Sequence, residues 1–485
     1  MKRFFVTNLI FLLTLNILIK SFWILGIDRG VQNVLPASSY GIYYALLNFT
    51  YLFNILLDLG ITQFNNRTIA QNPILLKKYF AKIIPLKVLL AFCYIIILFV
   101  IAYILNYDSF AFHLLRWLVV FQILTSILAY LRSNISSLLL FKTDSFLSVL
   151  DKFLTIIFCS LMLYTPILNG NMKIDYFVYA QVLSMFLSVL IALIICIHKT
   201  GFIKINIDTR FMFIILKKGF PYALLILLMS FYNRMDTVMI ERILHDGSVQ
   251  SSIYASAFRL VDSVNMIAYL FSVILLPLFA KIIKDRGNIQ EIIKISFHFL
   301  LIISIGFVAL SLLCSKELMS LLYNKHISES TEVFRVLCFC FIPISMTYIF
   351  GTLLTANGSL RKLNIVAFIG MLINIIVNLI LIPRYKALGS AYSALTAQTL
   401  TAILQIIISL KVFHIKLSYN YIVKISAFIS SILLMSWIIS NMSWIWYYKG
   451  ISILVIIVVI SFFFRIFSLR EIFNYSINII KSKKS

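Results

Sequence analysis

Charged residues are scarce: they make up 12% of the 485 residues, whereas hydrophobic residues reach 62%. A soluble protein carries about 25% charged residues, so a water-soluble globular enzyme is excluded. Polar stretches of domain size are missing as well. Apolar runs recur from Ile10 to Phe467, and the largest break between them is about 20 residues, too short for a folded extramembrane domain. Acidic residues are the fewest, 17 against 42 Lys and Arg, which leaves a net charge of +25. That excess lies mainly in short connections, where membrane topology puts it, and so does not point to nucleic acid. Paired cysteines are lacking too. Cys93, Cys159, Cys196, Cys314, Cys338 and Cys340 form no C-x-x-C motif, and Cys338 and Cys340, two apart, face nearly opposite sides of a helix. The six histidines form no cluster. Neither a metal site nor a cofactor site is indicated.

What is present is a series of apolar runs, each measured against the roughly 20 residues that cross a bilayer. They predict an all-α integral membrane protein with about fourteen spans: 6–27, 40–62, 81–105, 115–140, 147–168, 176–197, 218–242, 253–280, 294–314, 333–356, 363–383, 388–413, 421–440 and 447–467. The first run follows Lys2 and Arg3, lacks a small-residue cleavage site and reads as a retained helix. The alternate set of connections that contains the N-terminus, the C-terminus and loops 63–80, 198–217, 281–293 and 411–420 holds roughly 23 basic residues, against roughly 8 in the other set. The basic side is therefore expected to be cytoplasmic, with both termini inside and loops 28–39 and 315–332 outside. Trp117, Trp444 and Trp446 then fall near the outer interface.

A faint repeat links Tyr40-Gly41-Ile42-Tyr43-Tyr44-Ala45 to Ser252-Ile253-Tyr254-Ala255-Ser256-Ala257. The offset is roughly 211 residues, or six spans, which suggests parallel repeats about an axis along the membrane normal. The expected organisation is a six-helix bundle over 1–199 and a second over 200–415. Residues 416–485 add two further spans and a basic cytoplasmic tail, Lys481-Ser482-Lys483-Lys484.

An ionisable group inside a membrane helix is costly unless it is paired or faces water, so each one is a functional candidate. Arg234 lies about 22 Å into a hydrocarbon core some 30 Å thick. It shares a stripe with Ser230, Thr237 and Glu241, whereas Asp236 is rotated about 200° away. Arg259 and Asp262 stand at i,i+3, a spacing that permits an ion pair, structural or functional. Lys20 follows Asn16 by one turn and either snorkels to the interface or faces a cavity. Asp58, in line with Tyr51 and Asn54, either braces the Gly60 turn or couples to transport. Arg132 lies in the inner half of span four, and Asn374 and Asn378 suit interhelical hydrogen bonding. Lys20, Arg132, Arg234 and Arg259 together would make an anion-attracting cavity, with Arg suited to phosphate oxygens.

These residues resemble a family. Tyr40-Gly41-Ile42-Tyr43 leading to Leu57-Asp58-Leu59-Gly60 and Arg67-Thr68-Ile69-Ala70 is similar to the opening of bacterial polysaccharide (O-antigen, Wzx-type) flippases. Phe220-Pro221 through Asn233-Arg234-Met235-Asp236-Thr237-Val238-Met239-Ile240 resembles their seventh helix. Leu379-Ile380-Leu381-Ile382-Pro383 followed by Leu388-Gly389-Ser390-Ala391 resembles a helix junction of the wider MATE-like superfamily. The resemblance spans about residues 1–415. It implies two six-helix bundles around a central cavity with alternating access. It also implies a polyprenyl-diphosphate-linked oligosaccharide as substrate, for lipopolysaccharide or related polymer biosynthesis in the bacterial inner membrane. Implied partners are membrane lipids and the polymerase or ligase machinery. Arg234, Lys20, Arg259 and Arg132 would then bind substrate, and Asp236, Asp262 and Asp58 would be coupling or structural acids. Many members stop at twelve helices, so the two extra spans leave a lipid II flippase open beside an antiporter of small organic ions or drugs. A membrane glycosyltransferase, polymerase or ligase is disfavoured, because no outer loop exceeds about 20 residues.

Overall fold

The computed structural model describes residues 14–16, 18–138, 140–165, 171–200, 207–285, 287–415 and 418–464. The basic tail and most of the start of the first span lie outside them. Every regular element among the described residues is a helix, and eleven are long and apolar enough to cross a membrane.

The first span ends in a π-helical turn, Trp23–Asp28, continuing into Arg29–Val34; together these are α1. There follow α2 (Ala37–Leu52), the short α3 (Ile61–Gln71), α4 (Leu76–Ile104), α5 (Ser109–Ser137), α6 (Phe141–Tyr164) and α7 (Ile174–Thr200). The second half begins with α8 (Thr209–Ile243), α9 (Gly247–Lys284) and α10 (Ile289–Leu322). It continues through α11 (Ile327–Leu337), α12 (Phe341–Ala356) and α13 (Leu360–Val412), and closes with α14 (Tyr419–Ser440) and α15 (Trp446–Phe463).

The 53-residue α13 is two arms joined at Lys386, whose φ of 52° breaks the helix three residues after Pro383. The bonded pairs Asn374–Ser393 and Asn378–Ser390 share a midpoint beside that break, so the arms run antiparallel against each other. Counting the arms separately and adding α1 and α2 gives about fourteen crossings, as the hydropathy predicts.

Two expected outer loops are shorter than hydropathy suggests. Residues 28–39 are helical to Val34, and Asp28 is buried. Residues 315–332 are mostly helix, with only 323–326 between α10 and α11. A charge that finds a buried partner extends a helix beyond its apolar run, which a hydropathy window cannot register. Loop 63–80 likewise contains α3 and the start of α4.

One large apolar core joins α1 to α7 and runs on into α8 and α9, from Trp23 through Ile215 to Val238 and Ala255. Separate cores lie within α8 to α13, one built on Phe334 and Ile382, another on Phe279 and Phe350. The extra helices α14 and α15 seal against α10 through Phe428, Ile432, Ile453 and Ile457 packed on Leu301, Ile305 and Ala309.

The two halves meet most tightly through glycine. A Cβ on Gly41 of α2 would lie 1.6 Å from the Ser248 carbonyl oxygen at the start of α9. At the other end of α2, a Cβ on Gly219 of α8 would lie 2.1 Å from the Leu59 carbonyl oxygen. The chain there passes through Leu59 and Gly60 at positive φ, 45° and 81°. Asp58 braces that turn: it accepts from the Thr62 amide at 3.3 Å and pairs with Lys87 at 2.5 Å. Lys87 is itself buried, and donates also to the Leu57 carbonyl and to Ser126, each at 3.0 Å. Asp58 thus has the bracing position, with Lys87 a partner that the sequence reading overlooked.

Candidate substrate site

Between the halves, α1, α8 and α9 carry charge into a largely apolar interior, and α2 meets them with Tyr40, Tyr44, Asn48 and Tyr51. Asp28, 1% exposed, stands 2.7 Å from Arg259 Nε, and Tyr40 donates to the same carboxylate oxygen at 3.0 Å. The other oxygen of Asp28 is buried without a hydrogen-bond partner. Arg259 lies flat over Tyr44, 4.9 Å from the ring centroid. The expected neighbour of Arg259, Asp262 one turn along α9, is thus replaced by an acid from α1. Desolvation explains the exchange: a buried guanidinium needs a close counter-charge, and the π-helical turn of α1 delivers one.

Arg234 is held differently. Its strongest acidic neighbour is Asp262, yet among the described residues it closes no ion pair. It donates one long hydrogen bond, 3.4 Å, to Asn48, and its guanidinium lies 5.5 Å from the Tyr51 ring and 5.9 Å from that of Phe258. Most of its five N–H donors are therefore uncommitted. Tyr44 lies within electrostatic reach of both arginines.

Lys20 and Arg132 form a second basic group inside the first half. Lys20 is within electrostatic reach of Asp151, Lys152 and Arg132. Arg132 is bound to Asp144 at 2.8 Å. Lys152 lies 3.3 Å from Asp151 and above the rings of Trp23 and Phe121, and its charge also reaches Asp28. Lys152 therefore connects the Lys20 group to the Asp28–Arg259 pair. Its sequence signal, a lysine one turn into an apolar run, matches that of Lys20 and went unused.

Asp236 stands apart from these groups, inside the second half. It is 2% exposed and accepts from Tyr254 at 2.9 Å, Asn374 at 3.0 Å and Asn378 at 2.8 Å. Ser390 donates to the Asn378 side-chain oxygen at 2.9 Å and Asn378 to that of Asn374 at 3.2 Å, fixing both amides. The asparagines expected to join helices do so by enclosing this carboxylate.

Arg234 and the Asp28–Arg259 pair thus lie where α1, α2, α8 and α9 meet. Residues 5–283, more than half of it, match the family described as polysaccharide biosynthesis protein. The chain belongs to that family. Residues 221–380 also match the MatE family, and no curated protein matches the sequence. Among solved structures, the lipid II flippase MurJ in an inward closed conformation aligns with a TM-score of 0.64 at 15% identity, covering 92% of this chain and 98% of that one. A multidrug resistance MATE family transporter of the MOP superfamily, inward-facing, aligns at 0.61 with 13% identity, covering 80% and 93%. A MOP superfamily transporter from Pyrococcus furiosus aligns at 0.57 with 13% identity, covering 83% and 94%. At these identities the likeness establishes the fold alone, a MATE-like helical membrane architecture.

Proposed function

We propose that this polysaccharide biosynthesis protein is a flippase for polyprenyl-diphosphate-linked oligosaccharide, moving repeat units across the bacterial inner membrane by alternating access. The observation that carries this reading is Arg234, a guanidinium between the halves with one weak hydrogen bond and no ion pair among the described residues. Arg259 is within electrostatic reach of the same tyrosine, Tyr44, and two guanidinium groups suit the four or more oxygens of a diphosphate. Lys20, Arg132 and Lys152 continue the positive path through the first half. The lipid tail stays in the bilayer while the glycan passes between the halves, for O-antigen or a related surface polymer. Both termini are cytoplasmic in this reading, following the basic-loop count, and polymerase or ligase machinery takes the product.

Lipid II is the second reading, favoured by the coverage of both chains in the MurJ alignment and by α14 and α15. A drug antiporter is less well served, because the acids here stand beside cations: Asp28 pairs with Arg259, and Asp262 is the acidic neighbour of Arg234.

The test is transport in proteoliposomes with a fluorescent short-chain prenyl diphosphate sugar, read by quenching of outward-facing label. Arg234→Ala should abolish transport at normal membrane abundance, and Arg234→Lys should restore part of it, since Lys lacks the planar fork. Full transport by Arg234→Ala would remove the carrying observation. Preference for lipid II over other lipid-linked glycans would select the second reading.

A further inference from the structure

Within the second half, between α8, α9, α12 and α13, lies a cavity of about 210 Å³. Sites for drug-sized ligands usually measure about 300–1,000 Å³, so this one suits a single small group. No charged residue lines it. Its wall combines the amides of Asn233, Gln398 and Gln405, the hydroxyl of Thr347 and the rings of Tyr269 and Tyr348. The two tyrosines meet edge to face at 6.2 Å.

Two of these groups are unused. The Gln405 side-chain oxygen and the Thr347 hydroxyl are buried without hydrogen-bond partners, and Gln405 is 5% exposed. Unsatisfied buried polar groups are costly and call for an explanation. Gln398 donates to Asn233 at 2.6 Å, which fixes both amides at the wall. Gly351 leaves room for Gln405, since a Cβ there would stand 2.8 Å from the Gln405 oxygen.

The cavity adjoins Arg234. Asn233 of its wall precedes Arg234, and Tyr348 is within electrostatic reach of both Arg234 and Asp262. We infer that this cavity receives an uncharged sugar of the transported glycan, beside the diphosphate held at Arg234; the inference rests on the flippase reading above. Amides offer a donor and an acceptor to paired hydroxyls, and aromatic faces pack on the apolar faces of a pyranose. An uncharged wall places no counter-ion for a uronic acid. Hydrocarbon would leave Gln405 and Thr347 unsatisfied.

The full-length protein in nanodiscs would be titrated with farnesyl diphosphate and with its conjugates to glucose, galactose, N-acetylglucosamine, N-acetylgalactosamine and glucuronic acid. At least one neutral conjugate should bind about tenfold or more tighter than farnesyl diphosphate, as expected when a site is built to bond hydroxyls. The glucuronic acid conjugate should gain nothing. Gln405→Leu and Gly351→Ala should each erase the gain, with farnesyl diphosphate affinity kept; Arg234→Ala should weaken every ligand alike. Wild-type comparison of sugar-bearing and sugar-free ligands needs no variant to fold. Equal affinity across the set, or a gain that survives both variants, would overturn the sugar cavity while leaving the diphosphate site intact. Failure of farnesyl diphosphate to bind would overturn the flippase reading and the cavity assignment with it.

Discussion

Asp28 of α1 and Arg259 of α9 stand 2.7 Å apart across the junction of the two halves. Each is the other's close counter-charge in a setting where an unpaired charge is expensive. Removing one partner of a buried pair typically costs about 3–5 kcal/mol. Asp28→Asn should therefore lower the thermal midpoint of the purified protein clearly, and Arg259→Gln should do the same. The double variant should recover much of the stability without recovering transport. Single variants as stable as wild type would show that the pair does not hold the halves together.

A second prediction concerns the carboxylate enclosed by amides. Asp236 accepts from Tyr254, Asn374 and Asn378, all within 3.0 Å. Hydrogen bonds to a charged group contribute about 1.5–3 kcal/mol each. Tyr254→Phe and Asn378→Leu should both destabilise, with Asn378→Leu the larger because its donor serves Asp236 while its oxygen accepts from Ser390. Thermal unfolding in detergent measures this. A neutral Asn378→Leu would mean that the carboxylate draws its stabilisation from elsewhere.

The third concerns Gly41, whose missing Cβ lets α2 touch the start of α9. Gln32 donates to the Ser252 carbonyl at 2.9 Å, and Lys325 to the Leu35 carbonyl at 2.6 Å, on the same closure. Gly41→Val inserts a branched side chain where the backbone of Ser248 already lies. It should force these contacts apart and bias the protein toward the alternative state. A Gln32→Cys reporter should then react at least several-fold faster with a membrane-impermeant maleimide than in the parent background. Unchanged labelling would count against Gly41 as a closing contact.

The fourth concerns pH. Lys82 at 2.6 Å and the Phe211 amide at 3.0 Å hold the Asp208 carboxyl below the usual carboxylate range. Lys386 does the same for Asp246 at 2.7 Å. A depressed folded-state pKa gives stability that is fully present above the unfolded value, about 3.9, and is lost as pH falls through the folded one. Asp208→Asn keeps a good helix N-cap and removes only the charge. Its thermal midpoint should lie below wild type near pH 7 and converge with it toward pH 3. A constant difference across that range would assign the effect to something other than ionisation.

The sequence by itself determined the class and the approximate number of crossings, and it singled out Arg234 as a charge deep in an apolar run. Those follow from local quantities: the length of each apolar run, the spacing of polar residues on one helix, and the rarity of charge in hydrocarbon. Arg234 was conspicuous because its own helix supplies no neutralising partner. Partners across helices were another matter. Asp28 and Arg259 are 231 positions apart, and only the packing of α1 on α9 brings them together. Asp262, one turn from Arg259, was the nearer acid along the chain and proved the wrong one. The enclosure of Asp236 by Asn374 and Asn378, and the bracing of Asp58 by Lys87, likewise needed the tertiary structure. Helical periodicity fixes which residues share a face, whereas the cost of desolvation decides which distant charge that face must meet.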